Sequence, residues 1–143
     1  MKRILASQII TSSTHAAYKI VIDVANFPNF MSNIVSINII EDSGDRKIVE
    51  WVMEIDGAEI EWTEEIIYSD VELTARFRAI SGMFAIFDGI WRVAEHPRGA
   101  LINVELEYGL GLPEIEDIIG DILGKKLNEN VEAMLIAIER RAT

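Results

Sequence analysis

Between Glu59 and Ser69, the residues Ile60, Trp62, Glu64, Ile66 and Tyr68 alternate with Glu61, Thr63, Glu65 and Ile67. In an extended strand these two sets point to opposite faces. The more apolar face therefore carries one carboxyl group at its centre. Burying an ionised carboxylate is costly, so Glu64 is expected to be paired, hydrated in a cavity, or protonated with a raised pKa. A carboxyl group moved toward neutrality is suited to general acid or base work, such as proton transfer at an enolisable ketone or protonation of a departing hydroxyl. The plain alternative is a carboxylate at a cavity mouth, or one returned to solvent by a one-residue bulge. Asn130 lies beside an apolar helical stripe near the C-terminus. It can donate to a carbonyl and stabilise enolate charge, or simply hydrogen-bond a strand end.

Other chemistries find little support. His15 and His96 are far apart and neither has a partner at metal-ligand spacing, so no metal is expected. Asp42-Ser43-Gly44-Asp45 lacks the further ligands of a calcium loop and reads as a hairpin turn. The absence of cysteine excludes disulfides, thiolate metal sites and a thiol nucleophile. No phosphate loop, dinucleotide fingerprint or nucleophile elbow occurs, and no cofactor is implied.

The elements that must position Glu64 and Asn130 follow from periodicity. Residues 4–10 read as a short strand, and Thr11-Ser12-Ser13-Thr14 offers helix N-cap hydroxyls. Ala17, Ile20, Val21 and Val24 fall on one helical face within 16–24, and Pro28 then forces a break before a second short helical turn. From Ile34 to Tyr108, turn signals at Asp42–Asp45, Asp56-Gly57, Ser69-Asp70, Ser81-Gly82 and His96–Gly99 separate strands at 32–42, 46–56, 59–69, 72–80, 84–95 and 99–109. Short connections make successive strands antiparallel neighbours. Trp51 (with Val49, Met53 and Ile55), Phe77 (with Leu73 and Ala75), Phe87 and Trp91 (with Gly89 and Val93), and Leu106 and Tyr108 (with Ile102 and Val104) share an inward face. Trp62, Trp91, Tyr68 and Tyr108 can stack on a planar ligand, while Gly89 and Ala75 leave it space. Arg76, Arg78 and Arg92 fall on the outer face, pairing with Glu61, Glu65, Asp88, Glu105 or Glu107.

Residues 113–142 return to helical spacing. Ile115, Ile118, Ile119, Ile122, Leu127, Val131, Met134, Leu135 and Ile138 make an apolar stripe, started by Pro113 and ended near Arg140 and Arg141. Unbroken, this helix is ~45 Å long, and Gly120 and Gly124 are the points where a bend or interruption is expected.

The chain of 143 residues fits one domain spanning 1–143, and half its residues are hydrophobic, which excludes disorder. Its net charge of −11 opposes binding to nucleic acid or to anionic membranes. No apolar run approaches the ~20 residues of a membrane span. Ser7 and Gln8 interrupt the apolar start before a signal-peptide core can form, so a cytoplasmic location is expected.

The order strand, two short helices, six antiparallel strands and long helix resembles the helix-grip superfamily of START and Bet v 1-like domains. Within it, the chain is similar to the polyketide cyclase/dehydrase and coenzyme Q-binding branch. The likeness rests on Asp23-Val24-Ala25-Asn26-Phe27-Pro28-Asn29-Phe30, Ser81-Gly82-Met83-Phe84, Gly89-Ile90-Trp91-Arg92-Val93 and Ile138-Glu139-Arg140-Arg141-Ala142. It implies an α+β fold in which a seven-stranded curved antiparallel sheet wraps the C-terminal helix and encloses a cavity. It also implies which residues line that cavity: Ile34, Trp51, Trp62, Ile66, Tyr68, Phe77, Phe87, Trp91, Leu106, Tyr108 and Met134, around Glu64 and Asn130. The family's aromatic polyketide cyclases keep polar cavity groups where this chain has Ile66 (for an arginine), Glu64 (a serine), Leu106 (a glutamine) and Ile34 (a tyrosine). Their asparagine is retained as Asn130. The resemblance thus implies a polyketide cyclase or aromatase acting without a redox cofactor. The other readings are a non-enzymatic carrier of an isoprenoid quinone or lipid, and an interaction module. An acyl carrier protein is a further partner for the outer arginines, though the surrounding negative charge opposes it.

Overall fold

The computed structural model describes residues 2–143. Its elements are β1 (Lys2–Ile10), α1 (Thr14–Ile22), a 3-10 turn (Val24–Asn26), α2 (Phe27–Phe30), β2 (Ile34–Asp42), β3 (Arg46–Ile55), β4 (Ala58–Ser69), β5 (Thr74–Gly82), β6 (Ile86–His96), β7 (Gly99–Gly109) and α3 (Pro113–Ala142). The strands form one antiparallel sheet in the order β1-β7-β6-β5-β4-β3-β2. Turn chemistry sets its hairpins. Between Ile55 and Ala58, Asp56 and Gly57 both have positive φ (50° and 84°), the two-residue turn whose twist matches the flanking strands. At the β2–β3 turn the Asp42 carboxylate accepts from the Gly44 N–H at 2.9 Å, and no ion is needed to explain the motif. His96 likewise serves its own turn, its Nδ1 accepting from the Arg98 N–H. Ser13 is the N-cap of α1, accepting from the Ala16 N–H, so the helix starts two residues earlier than its apolar spacing predicts.

Alternation holds along the strands. Val49, Trp51, Met53 and Ile55 on β3, and Ile60, Trp62, Glu64, Ile66 and Tyr68 on β4, are all buried. On the convex face Arg78 pairs with Glu65 and Arg92 with Glu105, as expected, and Arg46 joins Glu65 to Glu41. Such exposed pairs contribute little each. Three bulges interrupt the ladders, leaving Val35 and Ile40 on β2 and Ile80 on β5 as surplus residues. All three are exposed apolar side chains. The start of β5 is also shorter than expected, because Leu73 takes a left-handed φ of 56° in the turn that precedes Thr74.

The long helix corrects two expectations. It runs from Pro113 to Ala142 without interruption at either glycine. Its N-terminal isoleucines are not on the buried stripe: Ile118 is 75% exposed and Ile122 64%, while Leu127 and Ile138 are 1% and 0%. The reason is geometric. α3 meets the ends of β1 and β7 at positions 120–124, where Lys2 Cε comes near Gly120 and the Tyr108 hydroxyl donates to the Gly120 carbonyl at 2.8 Å. Residues before 120 therefore extend past the sheet, leaving Ile115, Ile118 and Ile119 without a strand to cover. The sheet-facing positions on this half are Gly120 and Gly124, spaced four apart and continued by Leu127 and Val131. Among the described residues no helix is long and apolar enough to cross a membrane.

This seam gives a test. A Cβ at Gly124 would lie 2.1 Å from the Tyr108 hydroxyl oxygen. In Gly124→Ala the overpacking cost of about 1–3 kcal/mol should exceed the gain of roughly 1 kcal/mol in helix propensity, lowering the melting temperature. Adding Tyr108→Phe should recover much of the loss, because the nearest remaining ring atom is 3.2 Å away. Thermal unfolding followed by circular dichroism reads both, and a higher melting temperature for the single variant would refute the seam.

Candidate functional site

The concave face and α3 enclose a cavity of ≈ 50 Å³. Glu64, Trp51, Trp62, Phe77, Phe87 and Trp91 line it from the sheet with Leu106 and Val104, Ile34 from the start of β2, and Leu127, Asn130, Val131 and Met134 from α3. A second, inner chamber of ≈ 20 Å³ lies toward α1, with Val21, Val24, Phe27, Ile66, Tyr68 and Ala75 in its wall. Glu64, Trp51, Phe77 and Trp91 line both and form the partition. Tyr108 lines neither, its hydroxyl being engaged by α3. The space expected beside Gly89 is filled: a Cβ there would lie 2.4 Å from the Glu105 carbonyl oxygen and 2.7 Å from both Leu106 Cβ and Phe77 Cζ, so the glycine accommodates the neighbouring strands rather than a ligand. At these volumes the cavity has room for a few waters, and a ligand of several rings requires side chains or α3 to move.

Glu64 faces inward and is 3% exposed. The bulge that could have turned it outward lies on β5, at Ile80, so β4 keeps its phase. Its direct neighbours across the ladders are Val49 and Ala79, neither of which can neutralise a charge. Burial pushes the carboxyl up from 4.5 to about 8, against the opposing pull of hydrogen bonding from indole N–H groups. Trp62 Nε1 donates to Glu64 Oε1 at 2.7 Å. Trp51 Nε1 lies close enough to favour the charged form, yet has no hydrogen-bond partner of its own. At neutral pH the group is thus mostly a neutral acid, able to donate a proton into the cavity. The surrounding rings are tightly held: Trp51 and Trp62 stack with centroids 5.6 Å apart and an interplanar angle of 5°, and Trp62 leans on Phe87 at 5.1 Å.

Asn130 borders the cavity but its amide is already tied. Its Nδ2 donates to the Lys126 carbonyl at 2.8 Å, and its Oδ1 accepts from Asn33 Nδ2 at 2.9 Å. One N–H remains for a ligand. Asn33 was not legible as a partner, since 97 residues separate the two. Tyr18 was missed as well: buried on α1, it donates to the Thr74 carbonyl at 2.8 Å and fixes the helix over the inner chamber. Its place in α1, between Ala17 and the buried Val21, is the signal that could have found it.

Residues 10–135 match the family described as polyketide cyclase / dehydrase and lipid transport. The chain belongs to that family. Among solved structures it is similar to TTHA0849 from Thermus thermophilus, at 24% identity and a TM-score of 0.92, with 99% of this chain and 97% of that one covered. It is also similar to the Zhui aromatase/cyclase from Streptomyces sp. R1128, at 12% identity and a TM-score of 0.86 over 99% and 93% of the two chains. The ribosome association toxin RatA of Rickettsia prowazekii (strain Madrid E) is 22% identical over 139 residues, covering 95% of this chain and 92% of that protein. The likeness in structure establishes the helix-grip fold.

The buried acid makes stability depend on pH. Below pH 4.5 Glu64 is protonated in both the folded and the unfolded chain and has no effect on the balance. Between 4.5 and about 8 the unfolded chain loses the proton that the folded one keeps, so stability falls as pH rises. The full loss is roughly 5 kcal/mol. Glu64→Gln should remove this contribution. Urea unfolding of both chains from pH 4 to 9 should show the variant gaining on the parent through that window and no further above it. A pH-independent difference would mean that Glu64 is ionised in the fold.

Proposed function

We propose that this protein binds a largely apolar, carbonyl-bearing molecule in the cavity and promotes its dehydration or cyclisation, as a polyketide cyclase/dehydrase-like enzyme. The observation that carries the reading is Glu64, a carboxyl group poised near neutrality in the wall of an otherwise apolar cavity. In a dehydration the two proton transfers are concerted. One oxygen of Glu64 gives its proton to the leaving hydroxyl, which departs as water, while the other takes the proton α to the carbonyl, so the C=C bond forms and the acid is restored. The stacked indoles hold the chain in a reactive conformation, the larger part of the rate gain in such reactions. The remaining N–H of Asn130, on the α3 side of the cavity, hydrogen-bonds the departing hydroxyl.

A carrier of an isoprenoid quinone or another lipid is the second reading, favoured by the apolar wall: Ile34, Ile66 and Leu106 stand where the cyclases of this family keep polar groups. Family membership and the aromatase/cyclase neighbour support apolar-ligand binding in either case. The RatA relative raises a role at the ribosome, which the net charge of −11 weighs against for any contact with RNA.

Two measurements separate these. A synthetic aryl β-hydroxyketone, followed by enone absorbance, should be dehydrated by the parent chain. Glu64→Gln should slow turnover about 100-fold with binding retained, and equal turnover by the variant would eliminate the catalytic role. Native mass spectrometry of the protein purified from its own host should show a polyketide or no ligand. A tightly held isoprenoid would move the assignment to the carrier.

A further inference from the structure

Two buried donors near the partition make no hydrogen bond, although the Glu64 carboxyl lies near one of them, Trp51. The Trp51 indole N–H and the Tyr68 hydroxyl are both without a hydrogen-bond partner, and their residues are 6% and 9% exposed. Leaving a buried donor unpaired costs about 1–3 kcal/mol, so two beside one chamber require an occupant that accepts. The wall's one side-chain acceptor, Glu64, already accepts from Trp62 Nε1 at 2.7 Å, and Val21, Val24, Phe27, Ile66 and Ala75 are apolar. At ≈ 20 Å³ it admits one oxygen-sized group and no ring. Burial, and then the neighbouring Glu64, push the Tyr68 hydroxyl above its ordinary range, so it remains a donor. An anionic head is disfavoured, because it would place a second acid beside Glu64 with no cation in the wall. Lys47 lies over the Tyr68 ring but donates to the Ile22 carbonyl and does not line the chamber.

We propose that the inner chamber receives the carbonyl oxygen of the ligand, held by Trp51 Nε1 and the Tyr68 hydroxyl, while the ligand's apolar body fills the larger cavity. The ligand class is therefore a neutral ketone or quinone, rather than a hydrocarbon or a carboxylic acid. Trp51, Phe77 and Trp91 form the neck through which the carbonyl passes, and Glu64 stands beside it. This rests on the cavity being the ligand site.

The test uses 1-tetralone and tetralin, which share a bicyclic body and differ by one carbonyl, titrated calorimetrically into the full chain. The parent should bind the ketone at least roughly tenfold more tightly than the hydrocarbon. Tyr68→Phe should remove most of that preference by weakening the ketone alone, with tetralin changed less than about twofold. Equal binding of the two probes by the parent overturns the carbonyl receptor and leaves the cavity reading intact. So does a Tyr68→Phe chain that weakens both equally, the result expected if a structural water occupies the chamber. Binding of neither probe overturns the cavity reading itself. Tyr68→Phe deletes only an unpartnered hydroxyl, so its melting temperature should not fall; a large fall would show that the hydroxyl has a partner after all.

Discussion

A curved sheet of seven strands presents one concave apolar face, and a single helix has to close it. Everything in the interior follows from how closely that helix approaches. Its C-terminal half reaches the sheet through Leu127, Met134, Leu135 and Ile138. Its N-terminal half reaches it because Gly124 leaves a notch for Tyr108, whose hydroxyl donates to the Gly120 carbonyl. The two halves dock by different means, one by interlocking side chains and the other by backbone proximity. Between these anchor points the helix spans the cavity, and Asn130 is held on its wall by Asn33 rather than by the sheet.

The same closure determines the chemistry of Glu64. Were α3 absent, the carboxyl would face water and titrate as an ordinary acid. With it in place the group has only indole N–H dipoles for company, and neutrality becomes its resting state. A stacked pair of tryptophans is a fitting support for such a group. Indoles donate without carrying charge, and their rings fix one another through packing, so the acid is oriented without being neutralised by a cation. A position that violates the strand's pattern and has no compensating ion pair is the kind that folds tolerate for function.

Much of this was legible in the sequence, because alternation in a half-buried sheet is a strong signal. It assigned Glu64 to the interior, and the order of elements carried the fold. What escaped it has common physical causes. Bulges shift a strand's phase at one residue, and nothing in composition marks Ile80 rather than a β4 residue as the surplus one. Helical periodicity identifies an apolar stripe on α3 but cannot reveal where the sheet ends, so Ile118 is expected against strands that do not reach it, while Ile122 falls on the side away from the sheet-facing glycines. Glycine is expected to leave space at Gly89, where the Glu105 carbonyl, Leu106 and the Phe77 ring fill it, and to bend the helix at Gly124, where it instead admits the Tyr108 hydroxyl. The Asn33–Asn130 contact and the division into two chambers arise only when distant segments meet.

The bulges at Val35 and Ile40 have an effect of their own. β2 is a margin of the sheet, and a margin invites another chain to add a strand, which leads to aggregation. The opposite margin, β1, is covered by α3. β2 meets α2 and the 3-10 turn but no long helix, and its ladder loses phase twice within nine residues, while Glu41 and Asp42 charge its last stretch. An incoming strand would find no regular row of N–H and C=O groups to match. The irregular edge is what lets a sheet this rich in β-branched residues end where it does.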